Sequence, residues 1–549
     1  MEPVGLRIEY RVCPGHPREV TDDSQGGDPD DADVLVETFV FADSFAGEIA
    51  RVDFDGEILE VSVETAVSLK MESFQVTLRH AFSGDEKVLL NGYQSWTDTA
   101  ERSAWSHMRG LSGIWARLSS GRSLGASGDY AFVDYAEKRG LQHGFSYATF
   151  RRGDGMVLVA SLDETNGFTL ISIDATKGQV TLETECPANP LPKGRRFVLG
   201  RYAIVRGTMR RCYDRWFELM GIRARSVRPL VGYTSWYRHY SAIDEAILDR
   251  DVAGTASFFS RFAPESASSA LKVFQIDDGY CKVGDWLDVD AAKFPRGLKP
   301  LVARIREAGF VPGLWLAPFV CERDSRLFRE KPEWLLRDAS GDPIATGGHW
   351  SGGYALDTRN VEVRSYVLET LQVMTREWGF GLLKADFLYG ACMIPHAGLN
   401  RGQLMADAVD LLRKGAGDDV LILGCGVPLA SAFGKVDYCR IGCDVGLDWN
   451  GLPHMRMLHR ERVSTKNSLG NTYARAPLNG RAFGNDPDVF FLRDDVHLSD
   501  AQRDELLFAN ADLGYVLLTS DDMTKWGRAM RERYSLAVDM LVQRCGQAR

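Results

Sequence analysis

A chain of 549 residues is too long for one ordinary domain and long enough for two large units that each bury a core. Its hydrophobic share of 45% against 26% charged residues is that of a globular protein. The net charge of -10, with no basic cluster interleaved with aromatics, argues against nucleic acid and anionic membrane surfaces as partners.

The first six residues, MEPVGL, lack a basic region followed by an apolar core, so no signal peptide is expected. No later apolar run is long enough to span a bilayer, and a cytoplasmic protein is the expectation. The ten cysteines are scattered rather than set in CxxC pairs, which reads as buried thiols in a reducing compartment.

From about residue 5 to 207 the chain alternates in twos. Val61 and Val63, Val76 and Leu78, and Val180 and Leu182 each stand among polar neighbours, and turns such as SGD (83–85) and RGDG (152–155) separate the runs. This pattern predicts an antiparallel β-sandwich with one wet face per sheet. The acidic stretch at 21–33 has the composition of a calcium loop without its ordered ligand spacing, and is expected to be a solvated surface loop.

Residues 208–225 read as a helix leading to Pro229, which places an N-terminal β-domain at 1–225 and a second domain at 226–549. In the second, short apolar strands alternate with amphipathic helices. The predicted strands are 232–236, 272–277, 311–317, 382–386, 420–424, 438–442, 489–492 and 515–520. Eight is the number a closed barrel needs. Leu298, Leu301, Val302 and Ile305 form an apolar stripe ahead of Gly309, and Val363, Tyr366, Val367, Leu371, Met374 and Trp378 form another ahead of Gly379. The expected architecture is therefore multidomain, a β-sandwich followed by an α/β TIM-type (β/α)8 barrel. An open doubly wound sheet is the structural alternative, but no phosphate-binding glycine motif follows its first strand.

In a barrel, residues at the C-terminal ends of the strands share one mouth. There the sequence sets Trp236 and Tyr237 after the first strand, Asp277 and Asp278 after the second, and Trp315 in the third. Lys384 and Asp386 lie on the fourth, Cys425 after the fifth, and Arg440 and Asp444 after the sixth. Each has an ordinary structural use: Asp277 and Asp278 ahead of Gly279 fit a turn or helix cap, Trp315 fits barrel filling, and Arg440 with Asp444 fits a salt bridge. Their joint placement points instead to a carbohydrate site, where indole faces stack on a sugar ring and charged groups bond its hydroxyls. Paired carboxylates in unlike surroundings suit a nucleophile and a general acid. Lys384 and Arg440 beside the acids oppose a metal ion, and no HxxxH or HxH occurs near these strands, so neither metal nor cofactor is expected.

The motifs QIDDGY (275–280), GDW (284–286), FVPGLWLAPF (310–319), YALD (354–357), LLKADFLYGA (382–391), LGCGVPL (423–429), RIGCD (440–444) and NDPDVFFLR (485–493) occur in order. With NGYQSW (91–96) ahead of them, the series resembles the α-galactosidases of glycoside hydrolase family 36, most nearly the short bacterial and archaeal members, over residues 90–520. The resemblance implies a retaining double displacement on small galactosides, with Asp386 as nucleophile and Asp444 as acid/base. It implies that Asp277 and Asp278 bind the 4- and 6-hydroxyls, that Lys384 and Arg440 hold other hydroxyls, and that Trp236 and Trp315 wall the site, with Cys425 beside it and Trp96 reaching in from the β-domain. Lys384 and Arg440 would keep Asp386 ionised, whereas Asp444 must hold a proton and so needs partial burial or repulsion.

Two departures stand out. The loop VGLDWN (445–450) differs from the short members, which opens the aglycone and glycone specificity. The resemblance also implies a C-terminal β-domain, where this chain ends in a helical stretch at 523–545. An α-N-acetylgalactosaminidase or a transglycosylase on the same scaffold is the near alternative, and a non-catalytic sugar-binding protein the distant one. A homo-oligomer is left open.

Overall fold

The alternation in the first 207 residues folds into two antiparallel sheets. They are described here from a computed structural model that covers residues 1–13, 34–41, 44–111, 125–225, 228–451 and 459–547. The acidic stretch at 21–33 lies outside these residues. One sheet is centred on Glu2–Val12 paired with Leu69–Arg79, and the other on Ile58–Val63, Phe197–Gly207 and Gly155–Ser161. Val61, Val76, Leu78, Val180 and Leu182 point into a shared core and are fully buried, each worth about 1.5–3 kcal/mol of transfer free energy. The RGDG turn closes a hairpin in which Arg152 pairs with Gly155. Gly153 supplies the positive φ of 54° that such a tight connection requires.

The predicted linker helix is Met209–Met220. Thr208 caps its N-terminus, and Gly221, at φ 67°, stops it before residue 225. Its buried face wedges between the two layers: the Trp216 ring lies 5.1 Å from Tyr147 of the sandwich and 5.7 Å from Phe433 of the barrel.

The eight parallel strands of the barrel are β1 (Leu230–Thr234), β2 (Leu271–Ile276), β3 (Val311–Leu316), β4 (Leu382–Ala385), β5 (Leu421–Gly424), β6 (Tyr438–Arg440), β7 (Gly484–Asp486) and β8 (Val516–Thr519). The ladder runs in order from β1 to β7, with β8 on the other side of β1. It is nearly closed: between β7 and β8 the Tyr515 amide donates to Asn485 O at 2.8 Å, and Phe490 bridges Thr519. Seven of the strands overlap the predicted ones. The seventh does not, because the apolar run 489–492 packs beneath the C-terminal helix Arg528–Gln547 and the polar triplet before it forms β7.

Both apolar stripes are helical, Lys299–Glu307 and Val361–Gln372, the latter continued by a π-helical turn, Val373–Glu377, toward Trp378. After β3 the chain leaves the barrel for a small antiparallel sheet of Val320–Glu322, Gly353–Ala355 and Ala345–Gly347. That excursion carries His349 and Trp350 to the mouth.

Candidate active site

Burial on both faces explains why β2 (after Lys272), β3 and β4 read as apolar runs, and the polar side chains of the mouth gather where each strand ends. Lys384, on β4, is buried and reaches across to β2, where its ammonium lies 2.9 Å from Asp277 Oδ2. Gln275 Nε2 donates to the same oxygen at 3.0 Å, and Ser235 Oγ accepts from the Asp277 amide at 2.9 Å. Burial alone would pull Lys384 down, but the Asp277 carboxylate outweighs it and the ammonium is held well above the usual range. Asp278 accepts from Trp350 Nε1 at 2.7 Å. Burial pushes its carboxyl up to about 6, with Asp277 adding repulsion and the Trp350 N–H opposing.

Asp386 follows β4 directly and is buried. Trp315 Nε1 donates to Oδ2 at 3.0 Å, and the Phe387 amide donates to Oδ1 at 2.8 Å. Phe387 adopts φ 52°, ψ 34°, a left-handed conformation that a bulky aromatic rarely takes, so the chain turns sharply right after the carboxylate. Both oxygens are thus fixed, one by a donor from β3 and one by a donor from the turn after β4.

Arg440 closes β6 and is 3% exposed. Its guanidinium meets three carboxylates: Asp444 at 2.9 Å, Asp486 at 3.2 Å and Asp488 at 2.8 Å. Asp488 also accepts from the Val445 amide at 2.9 Å and from the Tyr237 hydroxyl. Burial pushes Asp488 well up from the ordinary carboxylate range, against the pull of Arg440. Asp444 is the open member of the set, with 38% of its side chain exposed. Three carboxylates on one cation leave a surplus of negative charge, the condition under which a proton is retained in the cluster.

The Lys384 ammonium acts on Asp386 through its charge and not through a direct bond. Neither Lys384 nor Arg440 bonds to Asp386: the first pairs with Asp277 and the second with Asp444, Asp486 and Asp488. In an extended strand the side chain two residues away points the same way but reaches a different neighbour.

The aromatic walls come from three directions. Trp236, half-buried, opens the short helix Trp236–His239 after β1 and meets Tyr240 edge-on at 5.2 Å. Trp315 is buried between Trp286 at 5.9 Å and Trp350 at 6.1 Å. Trp96 arrives from the β-domain, its ring 5.0 Å from Phe387 and 5.6 Å from Tyr389, with Nε1 donating to Cys425 Sγ at 3.3 Å. Gly426, at φ 57°, permits this: a Cβ there would lie 3.0 Å from the Trp96 ring and 3.1 Å from Phe387 N. Burial pushes the Cys425 thiol far up, so it stands as a neutral group beside Asp386.

The structure thus brings all ten predicted residues to one mouth, and adds Asp486, Asp488 and Trp350. Asp486 and Asp488 were within reach of the sequence, since NDPD (485–488) spans the end of β7 and the residues after it; setting the seventh strand at 489–492 hid them. Among the described residues, no group of three or more His, Cys, Asp or Glu side chains is arranged to hold a metal ion. No helix among them is long and apolar enough to cross a membrane.

Fold and mouth together define the class, a β-sandwich joined to a (β/α)8 barrel whose strand ends carry paired acids. The Melibiase family model matches residues 254–403. An α-galactosidase of Escherichia coli is 33% identical over 173 residues, 29% of this chain and 23% of that protein. An A type blood α-D-galactosamine galactosaminidase of Flavonifractor plautii is 30% identical over 134 residues, 23% of this chain and 12% of that protein. The matched stretch therefore spans less than a quarter of either relative. Among solved structures, an α-galactosidase from Thermus thermophilus in complex with p-nitrophenyl α-D-galactopyranoside superposes with a TM-score of 0.70 at 25% identity, covering 90% of this chain and 94% of that one. A family 36 α-galactosidase from Geobacillus stearothermophilus has the same fold, with a TM-score of 0.58 at 14% identity over 99% of this chain and 74% of that one. The resemblance to α-galactosidases read from the motifs is met by the Melibiase family model and the curated relatives, and the expected fold by the solved structures.

Proposed function

We propose that this protein is a retaining glycoside hydrolase that releases terminal α-linked galactose from small galactosides. The observation that carries the reading is the unlike setting of two acids at one mouth: Asp386, buried and pinned through both oxygens, and Asp444, partly exposed on a cluster rich in negative charge. A fixed carboxylate suits attack on the anomeric carbon, and an open one suits proton delivery to a departing oxygen and later activation of water. In the first step the Asp386 oxygen bonds to the anomeric carbon as the glycosidic C–O bond breaks and the leaving oxygen takes the Asp444 proton. In the second, water attacks the glycosyl ester, gives its proton to Asp444, and frees Asp386.

Asp277 and Asp278 keep acceptor capacity beyond their protein partners and bind hydroxyls of the sugar, while Lys384 and Arg440 donate to others. Trp236, Trp315 and Trp96 supply apolar faces, and Cys425 lies beside the nucleophile. The structures of the Thermus thermophilus enzyme with p-nitrophenyl α-D-galactopyranoside and with stachyose support galactosides and oligosaccharides as substrates. We take residues 1–225 and 226–549 as the two domains, and a cytoplasmic enzyme as the working localisation.

Trapping with a 2-fluoro- or 5-fluoro-α-galactosyl substrate, followed by peptide mapping, tests glycone and nucleophile together. A label on Asp386 is expected; an unlabelled protein would sink the reading in favour of a non-catalytic sugar binder. The second reading is an α-N-acetylgalactosaminidase; the similarity to the Flavonifractor plautii galactosaminidase supports only that an amino sugar can be the glycone of a relative. Faster turnover of nitrophenyl α-N-acetylgalactosaminide than of the galactoside would select it, and transfer products at high galactoside concentration would mark a transglycosylase.

A further inference from the structure

Arg475, the last residue of the helix Thr465–Arg475, is wholly buried, and no carboxylate is among its hydrogen-bond partners. Burial pulls it down to about 10, so it remains a cation at neutral pH. An unpaired buried charge is costly unless every donor is used. Here every one is. Nε donates to Asn91 Oδ1 at 3.0 Å, Nη1 to Ser95 O at 2.5 Å and Ile441 O at 2.8 Å, and Nη2 to Gln94 O at 3.2 Å and Thr99 Oγ1 at 3.0 Å. These are the five donors a guanidinium has.

The acceptors fall into two groups. Asn91, Gln94, Ser95 and Thr99 belong to the β-domain segment that carries Trp96, whereas Ile441 lies between Arg440 and Asp444 at the end of β6. The same helix begins at the acid/base loop, where the Ser464 amide donates to Asp444 O at 3.0 Å. One turn before Arg475, Asn471 Oδ1 accepts from the Thr99 amide at 2.7 Å. The helix is therefore fixed to Asp444 at one end and to both the Trp96 segment and the root of the Asp444 loop at the other.

We propose that Arg475 is a positioning residue that sets Asp444 and the Trp96 wall in register, so that seating of the β-domain governs delivery of the acid proton. This rests on Asp444 as the acid/base. Displacing a general acid penalises leaving groups that depart only when protonated, and spares those that leave readily as anions.

The test compares kcat/KM for methyl α-galactoside and p-nitrophenyl α-galactoside in wild type, Arg475→Lys and Arg475→Met, with folding followed by circular dichroism. The methyl galactoside is expected to lose at least about tenfold more than the nitrophenyl one in Arg475→Met. Arg475→Lys, which keeps the charge but not the fork, is expected to fall between. Equal losses on the two substrates, the result of a lower folded fraction alone, would overturn the proposal. Should both Arg475 variants fail to fold, Asn91→Ala removes one acceptor and is read the same way, a skew toward the methyl galactoside supporting the proposal and no skew overturning it. A wild type that hydrolyses neither galactoside defeats the galactosidase reading, and this proposal with it, before any variant is compared; turnover of both by wild type with equal losses in the variants defeats the role of Arg475 alone.

Discussion

Glu164 in the sandwich and Asp277, Asp486 and Asp488 at the barrel mouth are all buried, and they are satisfied in opposite ways. In the sandwich, Glu164 accepts from Ser146 Oγ at 3.0 Å and the Thr169 amide at 3.2 Å, with no cation among these partners, and burial pushes it up to about 7. At the barrel mouth Asp277 has the Lys384 ammonium, and Asp486 and Asp488 share the Arg440 guanidinium. Hydroxyls and an amide satisfy an acid that is free to become neutral. Fixed cations instead set the mouth carboxylates in place through charge-assisted hydrogen bonds.

The sharpest break in this comparison is removal of the acid proposed to do chemistry rather than hold structure. Asp386→Ala is expected to lower kcat on p-nitrophenyl α-galactoside by roughly 10³-fold or more while leaving the circular dichroism unchanged. Near-full activity in this variant would remove Asp386 from the mechanism. Asp444→Ala is expected to cost about 10²–10⁴-fold on alkyl galactosides, and added azide should restore turnover of the activated substrate by replacing the base-assisted water. A variant indifferent to azide and equally impaired on both substrates would argue that Asp444 only binds.

Next in size is a cation that holds the array. Lys384→Met leaves Asp277 buried without its partner, and breaking such a pair costs about 3–5 kcal/mol. The loss is expected in the urea midpoint, with recovery in the double variant Lys384→Met/Asp277→Asn because the stranded charge is then gone. If the double variant is no more stable than the single one, the pair is not what stabilises the mouth.

The legible part of this site follows from burial. Strands β2 to β4 are enclosed on both faces, so their apolar runs end where the mouth begins, and Asp277, Lys384 and Asp386 stand out against them. β7 is three residues, Gly-Asn-Asp, with no apolar signature, and the neighbouring run 489–492 has a stronger one because it packs under the terminal helix. That displacement is why Asp486 and Asp488 were missed. Ion pairing was illegible for a different reason: Lys384 and Asp386 are close in sequence, but the ladder aims the lysine at β2, and only the register between strands shows it. Trp350 comes from an excursion after β3, and Arg475 from the end of an ordinary-looking helix. Neither position carries a periodic mark, since each matters through contacts made far along the chain.

The smallest effect tests the sandwich side of the comparison. Glu164 has an ordinary value of 4.5 and is pushed up to about 7 in the folded state, so between these values the folded protein holds a proton that the unfolded chain has released. Stability must then fall as pH rises from about 4.5 to about 7, and the penalty is complete above that range, at up to about 3 kcal/mol. Glu164→Gln removes the titration while keeping an acceptor for Ser146 and Thr169. Its advantage over wild type should vanish below pH 4.5 and reach its full size above pH 7. Parallel urea-stability curves for the two proteins across that window would mean that Glu164 keeps its charge in the fold. In that event the hydroxyls around it do for Glu164 what Lys384 does for Asp277, and the two sites no longer differ in how they treat a buried acid.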